Sequence, residues 1–309
     1  MRVFRDPAEV PAGFGPSAVT IGKFDGVHAG HRAVLAELFA VAGRESLVPA
    51  VVTFDRHPLV LLAPETCPET LVGVEQKLEL LAETGVEASL VLTFDEALAS
   101  LSPQEFVERV LVHALHAREV LVGGDFRFGH RGAGTIDTLR SLGEQHGFGV
   151  RVIPDLLFAG RRRVSSTWIR QLLAEGNVKE AAELLGHVPT VRGVVVHGAK
   201  RGRELGFPTA NLSPESDGLI PADGVYAGWL TDHGVRYPAA ISVGSNPTFD
   251  GVPPKQVEAF VLDEELDLYD HVVDVSFVAR IRGMVAYSGV EPLIEQISAD
   301  VQTVRSILL

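Results

Sequence analysis

One cysteine, Cys67, among 309 residues excludes an intrachain disulfide, so nothing in the composition calls for an oxidising compartment. Long apolar runs are missing too. None approaches the roughly 18 residues of a membrane span, and the N-terminal MRVFRDPAEV has no apolar signal core. Positive charge is in deficit, with 27 Lys and Arg against 40 Asp and Glu and a formal net charge of −13. A chain so balanced does not cover a nucleic-acid backbone, which needs a basic surface, so any anion site must be local. No repeat, low-complexity segment or Walker A loop occurs. These absences lead to the expectation of a cytoplasmic chain with neither nucleic acid nor membrane as partner, and they leave the oligomeric state open.

What is present is apolar content of 46%, enough at this length for two cores. From residue 17 to about 185, β-rich runs alternate with helical patterns. The runs are AVTIGKF, LVPAVVTF, ASLVLTF, EVLVGGDF and GVRVIPDLLF. Between the third and fourth, Ser102, Pro103 and Glu105 form a capping box with proline at the first helical position. Such alternation predicts an α/β Rossmann-like domain with a parallel sheet, whose ligands sit at the carboxyl ends of the strands. After HVPTVRG the pattern becomes strand-rich with Gly and Pro turns, which predicts a small antiparallel β-barrel closed by a C-terminal helix over about 290–308. The domains are accordingly expected at 1–186 and 187–309.

The segment GKFDGVHAGH, residues 22–31, follows the first run and opens a helix. His28 and His31 then share one face of the first helical turn, beside the amide groups and partial positive charge that make a helix N-terminus an anion site. Gly22, Gly26 and Gly30 let the backbone approach a bulky polyanion. Asp25 is open between a turn residue and a magnesium holder. Further on, Ser165, Ser166 and Thr167 offer hydroxyls at a helix start with Arg170 one turn later, a second phosphate cradle. Arg161, Arg162 and Arg163 read most simply as a solvated charge run.

In the second half, Gly198, Gly202 and Gly206 with Lys200, Arg201 and Arg203 make a basic loop able to wrap phosphates. Thr209 and Asn211, in the PTAN that follows, alternate on one side of an extended stretch and offer hard oxygens suited to magnesium. Glu258 lies amid apolar neighbours in a strand pattern. It either faces solvent or acts as a general base for an un-ionised hydroxyl.

The HxGH of residues 28–31 resembles the signature of the nucleotidyltransferase superfamily. Taken in order, GxFDGxHxGH, TFDxHP (Thr53–Pro58), GxDFRFG (Gly123–Gly129) and SSTxIR (Ser165–Arg170) resemble the adenylyltransferase half of prokaryotic bifunctional FAD synthetases. GRxLGFPTANL, PxxGVYAG and SVGSNPTF, with VExF followed by an LY pair, resemble riboflavin kinases. The resemblance implies that His28 and His31 hold the ATP phosphates, with Gly22, Phe24, Asp25, Gly26 and Gly30 around them and Ser166, Thr167 and Arg170 closing over. It implies that His57, Pro58, Asp125 and Phe126 build the flavin and adenine pocket. In the kinase half it implies that Thr209 and Asn211 bind Mg2+ with ATP, and that Glu258 activates the ribityl hydroxyl. The 198–206 loop, with Gly198, Lys200, Gly202, Arg203, Gly206 and then Pro208, would fold over the nucleotide. Riboflavin, FMN and FAD are thus expected as substrate, intermediate and product. Two other readings stay open: a nucleotidyltransferase for another phosphorylated acceptor with the barrel as a binding module, and a flavin carrier without turnover. Arg56 stands where the family usually has proline, Asp270 where glycine commonly follows LY, and Ser242 where Asn is frequent.

Overall fold

The computed structural model describes residues 1–160, 162–198, 206–245 and 255–309. Contacts divide the chain into two units, Met1–Pro68 with Val74–Ser165 and Glu69–Gly73 with Ser166–Leu309.

The first unit is built on a parallel six-stranded sheet: β1 (Arg2–Phe4), β2 (Ser17–Ile21), β3 (Val48–Phe54), β4 (Ala88–Leu92), β5 (Ala117–Gly123) and β6 (Gly149–Ile153). Their spatial order is β1-β4-β3-β2-β5-β6. Strand residues alternate between two cores: Val19, Ile21, Ala50, Val52, Leu90, Leu92, Val120 and Val122 face one. Ala18, Val51, Val91 and Leu121 face the other. Period-two burial on both faces explains why these strands read as near-continuous apolar runs. Helices α1 (Ala29–Glu45) and α2 (Val74–Glu83) cover the second face. The first is covered by α3, which runs as an α-turn over Pro103–Phe106 and continues as a π-helix over Val107–Ala114, and by α4 (Ile136–His146). The capping box is present in both arms, Ser102 accepting from the Glu105 amide and Glu105 from the Ser102 amide.

Three departures from the sequence reading stand out. The short edge strand β1 was not foreseen. The run 149–158 breaks at Pro154, which has no amide hydrogen to continue a ladder, into β6 and the two-residue β7 (Leu157–Phe158); β7 pairs with β8 (Arg162–Arg163). The expected α-helix after Ser102 keeps its buried face, including Phe106, Val107, Val110 and Leu111, but mostly with π winding. The chain reverses direction across the sheet at β2, with β3 on one side and β5 on the other. The GKFDGVHAGH turn therefore leaves the sheet at its topological switch point, where ligands of open α/β sheets bind.

The second unit opens with α5 (Ser166–Glu175) and α6 (Val178–Leu185), followed by six strands: β9 (Thr190–Val196), β10 (Ala210–Leu212), β11 (Gly224–Asp232), β12 (Val235–Ser245), β13 (Lys255–Val261) and β14 (Val272–Arg282). They close an antiparallel barrel in the order β10-β13-β12-β11-β14-β9. A final helix, α7 (Val290–Leu308), lays Ile297, Val301, Val304 and Leu308 against Ala227, Ala240 and Phe260. Buried Asp300 on α7 pairs bidentately with Arg282 of β14 at 2.7 and 3.1 Å. No helix of the described residues is long and apolar enough to cross a membrane.

Candidate active sites

In the first unit the backbone between β2 and α1 is unusually constrained. Phe24, Gly26 and Val27 all have positive φ (50°, 79° and 39°). For a β-branched valine this is an outlier of the kind that costs 1–3 kcal/mol or so and persists where surrounding packing over-determines it. Here the packing is plain, since Phe24 and Val27 are almost wholly buried in the α1–α2 core. The turn delivers His28 to the N-cap of α1. Its Nδ1 accepts a hydrogen bond from the His31 amide at 3.3 Å, so in the neutral imidazole the hydrogen rests on Nε2. The His28 and His31 rings stack with centroids 3.7 Å apart. Gly30 is required by this stack, because a Cβ there would lie 3.0 Å from the His28 ring and 3.4 Å from the Val164 carbonyl oxygen.

Burial, then the neighbouring His28, Lys23, Arg163 and Lys77, hold His31 well below the ordinary imidazole value. His31 is neutral near pH 7, and among the described residues its buried Nδ1 has no hydrogen-bond partner. Three of those neighbours are cations. Lys77 on α2 is buried, donates to the Phe54 carbonyl at 2.6 Å, and is pushed down to about 8 by burial despite the nearby Asp25 and Asp55. Lys23 Nζ lies 3.3 Å from His57 Nε2. Arg163 bridges Asp125 and Asp155 at 3.0 and 3.1 Å.

In the sequence Arg163 reads as part of a solvated charge run, and nothing in its immediate neighbours marks Lys23 as close to His31. Lys77 carried a signal: it sits in helical phase with Val74, Leu78 and Leu81, on the face a lysine normally avoids.

The structure places the remaining expected residues of this half as follows. His57 is buried and accepts from the Leu59 amide at 3.1 Å, Pro58 precedes a one-turn helix, and Asp25 is buried in the histidine turn. Asp125 is exposed and ion-paired, while Phe126 stacks on Phe128 with centroids 5.5 Å apart. Burial raises the Asp55 carboxyl, but bonds from Arg56 and the Phe94 amide outweigh it and leave it below the usual value. Arg56, the departure from the family pattern, thus serves its own neighbour. Ser166, Thr167 and Arg170 belong to the second unit, where Arg170 Nε donates to the Glu69 carbonyl at 2.7 Å.

The second unit brings Thr209, Asn211 and Glu258 together by barrel register. Asn211 of β10 pairs with Glu258 of β13, which pairs in turn with Ser242 of β12. Thr209 Oγ1 donates to Glu258 Oε2 at 3.4 Å, and the Asn211 amide donates to Thr209 O and Oγ1 at 3.1 and 3.3 Å. All three are partly buried, so Glu258 does not stand free in solvent. Hydroxyl, amide oxygen and carboxylate are hard donors of the kind magnesium takes, with no imidazole or thiolate among them. A Cβ on Gly198 would come within 2.5 Å of the Asn211 side chain, which explains glycine there. Gly206 and Pro208 are exposed ahead of this strand, while Lys200, Gly202 and Arg203 lie outside the described residues. Asp270, at the family's glycine position, has φ 64°; aspartate is among the non-glycine residues that tolerate this region.

A strained, histidine-capped helix start at a sheet switch point and a carboxylate set in a small closed barrel define a pair of nucleotide-handling transferase folds on one chain. The comparisons agree. The FAD synthetase family pattern matches residues 12–168 and the riboflavin kinase pattern residues 185–308. The chain belongs to the bifunctional riboflavin kinase/FMN adenylyltransferase family. It is 37% identical over 289 residues to the protein so described from Listeria monocytogenes, covering 93% of this chain and 91% of that one. To that of Escherichia coli it is 38% identical over 288 residues, with the same coverage of 93% and 91%. A crystal structure from Streptococcus pneumoniae, described as a macrolide-efflux protein, superposes with a TM-score of 0.87 at 33% identity, covering 98% of both chains.

Proposed function

We infer that this chain makes FAD from riboflavin in two ATP-dependent steps: phosphorylation to FMN, then transfer of AMP to FMN with release of pyrophosphate. We assign the first to residues 187–309 and the second to 1–186. The observation that carries the reading is the register that sets Glu258 opposite Asn211 with the Thr209 hydroxyl against its carboxylate. A mere binding module has no need of that group.

In the kinase step the ribityl hydroxyl is un-ionised, and Glu258 takes its proton as the oxygen attacks the γ-phosphorus, a contribution of about 10²- to 10⁴-fold. Thr209 and Asn211 would hold Mg2+, which neutralises charge on the phosphates when bound. The basic loop through Lys200 and Arg203 would cover the nucleotide.

In the adenylyl step the acceptor is a phosphate monoester already ionised near neutral pH, so alignment and charge stabilisation suffice and no base is required. His28, with its Nε2 hydrogen outward of the capping bond, donates to the triphosphate, and neutral His31 steadies its ring. Lys23, Lys77 and Arg163 bring positive charge close to His31, part of it already met by Asp25, Asp55, Asp125 and Asp155. The roles that the resemblance implies for Gly22, Phe24, Gly26, Ser166, Thr167 and Arg170 at the phosphates, and for His57, Pro58, Asp125 and Phe126 at the flavin, belong to the same proposal. So does a cytoplasmic setting without nucleic-acid or membrane partners.

The test is incubation of the whole chain with riboflavin, ATP and magnesium, followed by chromatography of the flavins. FMN and FAD are expected, with ADP and pyrophosphate. Unchanged riboflavin without ADP marks a carrier, and FMN formation without FAD marks a different acceptor for the first unit.

A further inference from the structure

Outside both sites, three potential metal ligands converge at one end of the barrel. Asp232 is the last residue of β11, His233 the first residue of the two-residue turn to β12, and His271 directly precedes β14. His271 Nδ1 lies 3.1 and 3.2 Å from the two Asp232 carboxylate oxygens. His233 Nε2 lies 3.8 Å from the nearer of them. One ligand atom from each residue falls within 4.8 Å of the others. A tetrahedral ion with bonds of 2.0–2.1 Å sets its ligands about 3.3 Å apart, so changes of at most about 1.5 Å in the ligand–ligand distances bring the three to coordinating distance.

The scaffold beneath them is firm. Thr231 pairs with Asp274 across β11 and β14. The backbone of Asp270 and His271 is tied to Val195 of β9 by hydrogen bonds of 3.0 and 2.9 Å. The turn is the left-handed kind, with φ 45° at His233 and 82° at Gly234, where Asn or Gly is the usual first residue. A histidine accepts some strain there and gains a place beside Asp232. Asp232 is largely covered, whereas His233 is exposed, so the group is open to ions from solvent.

We propose that Asp232, His233 and His271 form a binding site for a first-row divalent cation of the zinc class, with the fourth position open to water. Two imidazoles and one carboxylate suit zinc, cobalt or nickel and disfavour magnesium, which prefers oxygen throughout. The site is therefore chemically distinct from the Thr209–Asn211 pair. Coordination uses the Nδ1 lone pair of His271, so the hydrogen shared with Asp232 leaves that nitrogen. The ion would clasp the β11–β12 turn to the start of β14.

The experiment uses the full chain and zinc chloride, by equilibrium dialysis with excess magnesium chloride present, repeated with cobalt(II) to read the visible absorption of a low-coordinate ion. One equivalent of zinc is expected, with an intense cobalt spectrum. His233→Asn, which keeps a residue tolerant of the left-handed turn, should weaken zinc binding at least about tenfold. Its melting temperature without metal should not change. His271→Asn should weaken binding likewise, and Asn211→Ala should leave zinc uptake intact. No uptake by the unsubstituted chain, or equal uptake by the chain and both histidine variants, overturns the proposal and leaves the Asp232–His271 contact as an ordinary hydrogen-bonded pair. Uptake lost in Asn211→Ala but kept in His233→Asn overturns it as well. Neither result bears on FAD synthesis.

Discussion

The two proposed nucleotide sites are built from opposite materials. Around His31 the first unit gathers Lys23, Lys77 and Arg163 from separate segments, and His28 enters α1 from a turn with three positive φ angles in four residues. The second unit places Thr209, Asn211 and Glu258 on or beside two regular antiparallel strands, with a carboxylate as the one charged group of the trio. The difference follows the acceptor. FMN brings its own negative oxygen, and a site for it must tolerate more charge, whereas riboflavin brings a neutral hydroxyl and must lose a proton. On the proposed reading, the strained turn serves to aim histidine rings at phosphates from a helix start, whereas strand register is enough to set Glu258 opposite Asn211.

The sharpest way to break this contrast is to remove the carboxylate. Glu258→Gln should lower FMN formation from riboflavin by about 10²- to 10⁴-fold while FAD formation from supplied FMN continues, as separate initial-rate assays would show. The mirror substitution, His28→Ala, should lower FAD formation by roughly 10²-fold, the scale of one lost transition-state donor, and spare FMN formation. A parallel fall in both activities for either variant would mean that the sites do not work separately.

Smaller effects test the packing behind each group. Gly198→Ala brings a methyl within 2.5 Å of Asn211, and Gly30→Ala brings one within 3.0 Å of the His28 ring. Misplacement of about 1 Å costs up to 10²-fold, so Gly198→Ala should depress the kinase step more than Gly30→Ala depresses the adenylyl step. Rates for both variants, each compared with its own unaffected activity, decide the ranking.

The smallest expected effect concerns charge. Lys77 is held near 8 in the fold against an ordinary 10.5. Between those values the unfolded chain binds more protons than the folded one, so stability contributed at this residue rises with pH across the window and is least below pH 8. Urea midpoints at about pH 7.5 and 9.5 should show the unsubstituted chain gaining on Lys77→Met. A difference that does not change with pH would refute the buried-ammonium description.

Much of this was legible in the residues themselves. The histidine turn, the capping box at Ser102, the barrel strands and the closing helix all follow from local patterns of glycine, caps and apolar period. The illegible parts depend on distance along the chain. Three-residue β1 is too short to show a period and exists because β4 offers it a parallel partner. The convergence of Asn211 with Glu258 needed barrel closure, which no local window encodes. Lys77 could have been found by its helical phase, but its partners Phe54, Asp25 and Asp55 come from other segments. Asp232, His233 and His271 escaped for the same reason, since β11 and β14 meet only in the barrel.

The claim beneath all of this is that one chain uses two ATP molecules at two phosphorus atoms. It is tested most directly by supplying riboflavin with ATP labelled at the γ-phosphorus, then with ATP labelled at the α-phosphorus, and locating the label in purified FAD. The account predicts γ-label in the phosphate next to the ribityl chain and α-label in the phosphate next to adenosine. FAD that carries no γ-label, or label from one position in both phosphates, would contradict it.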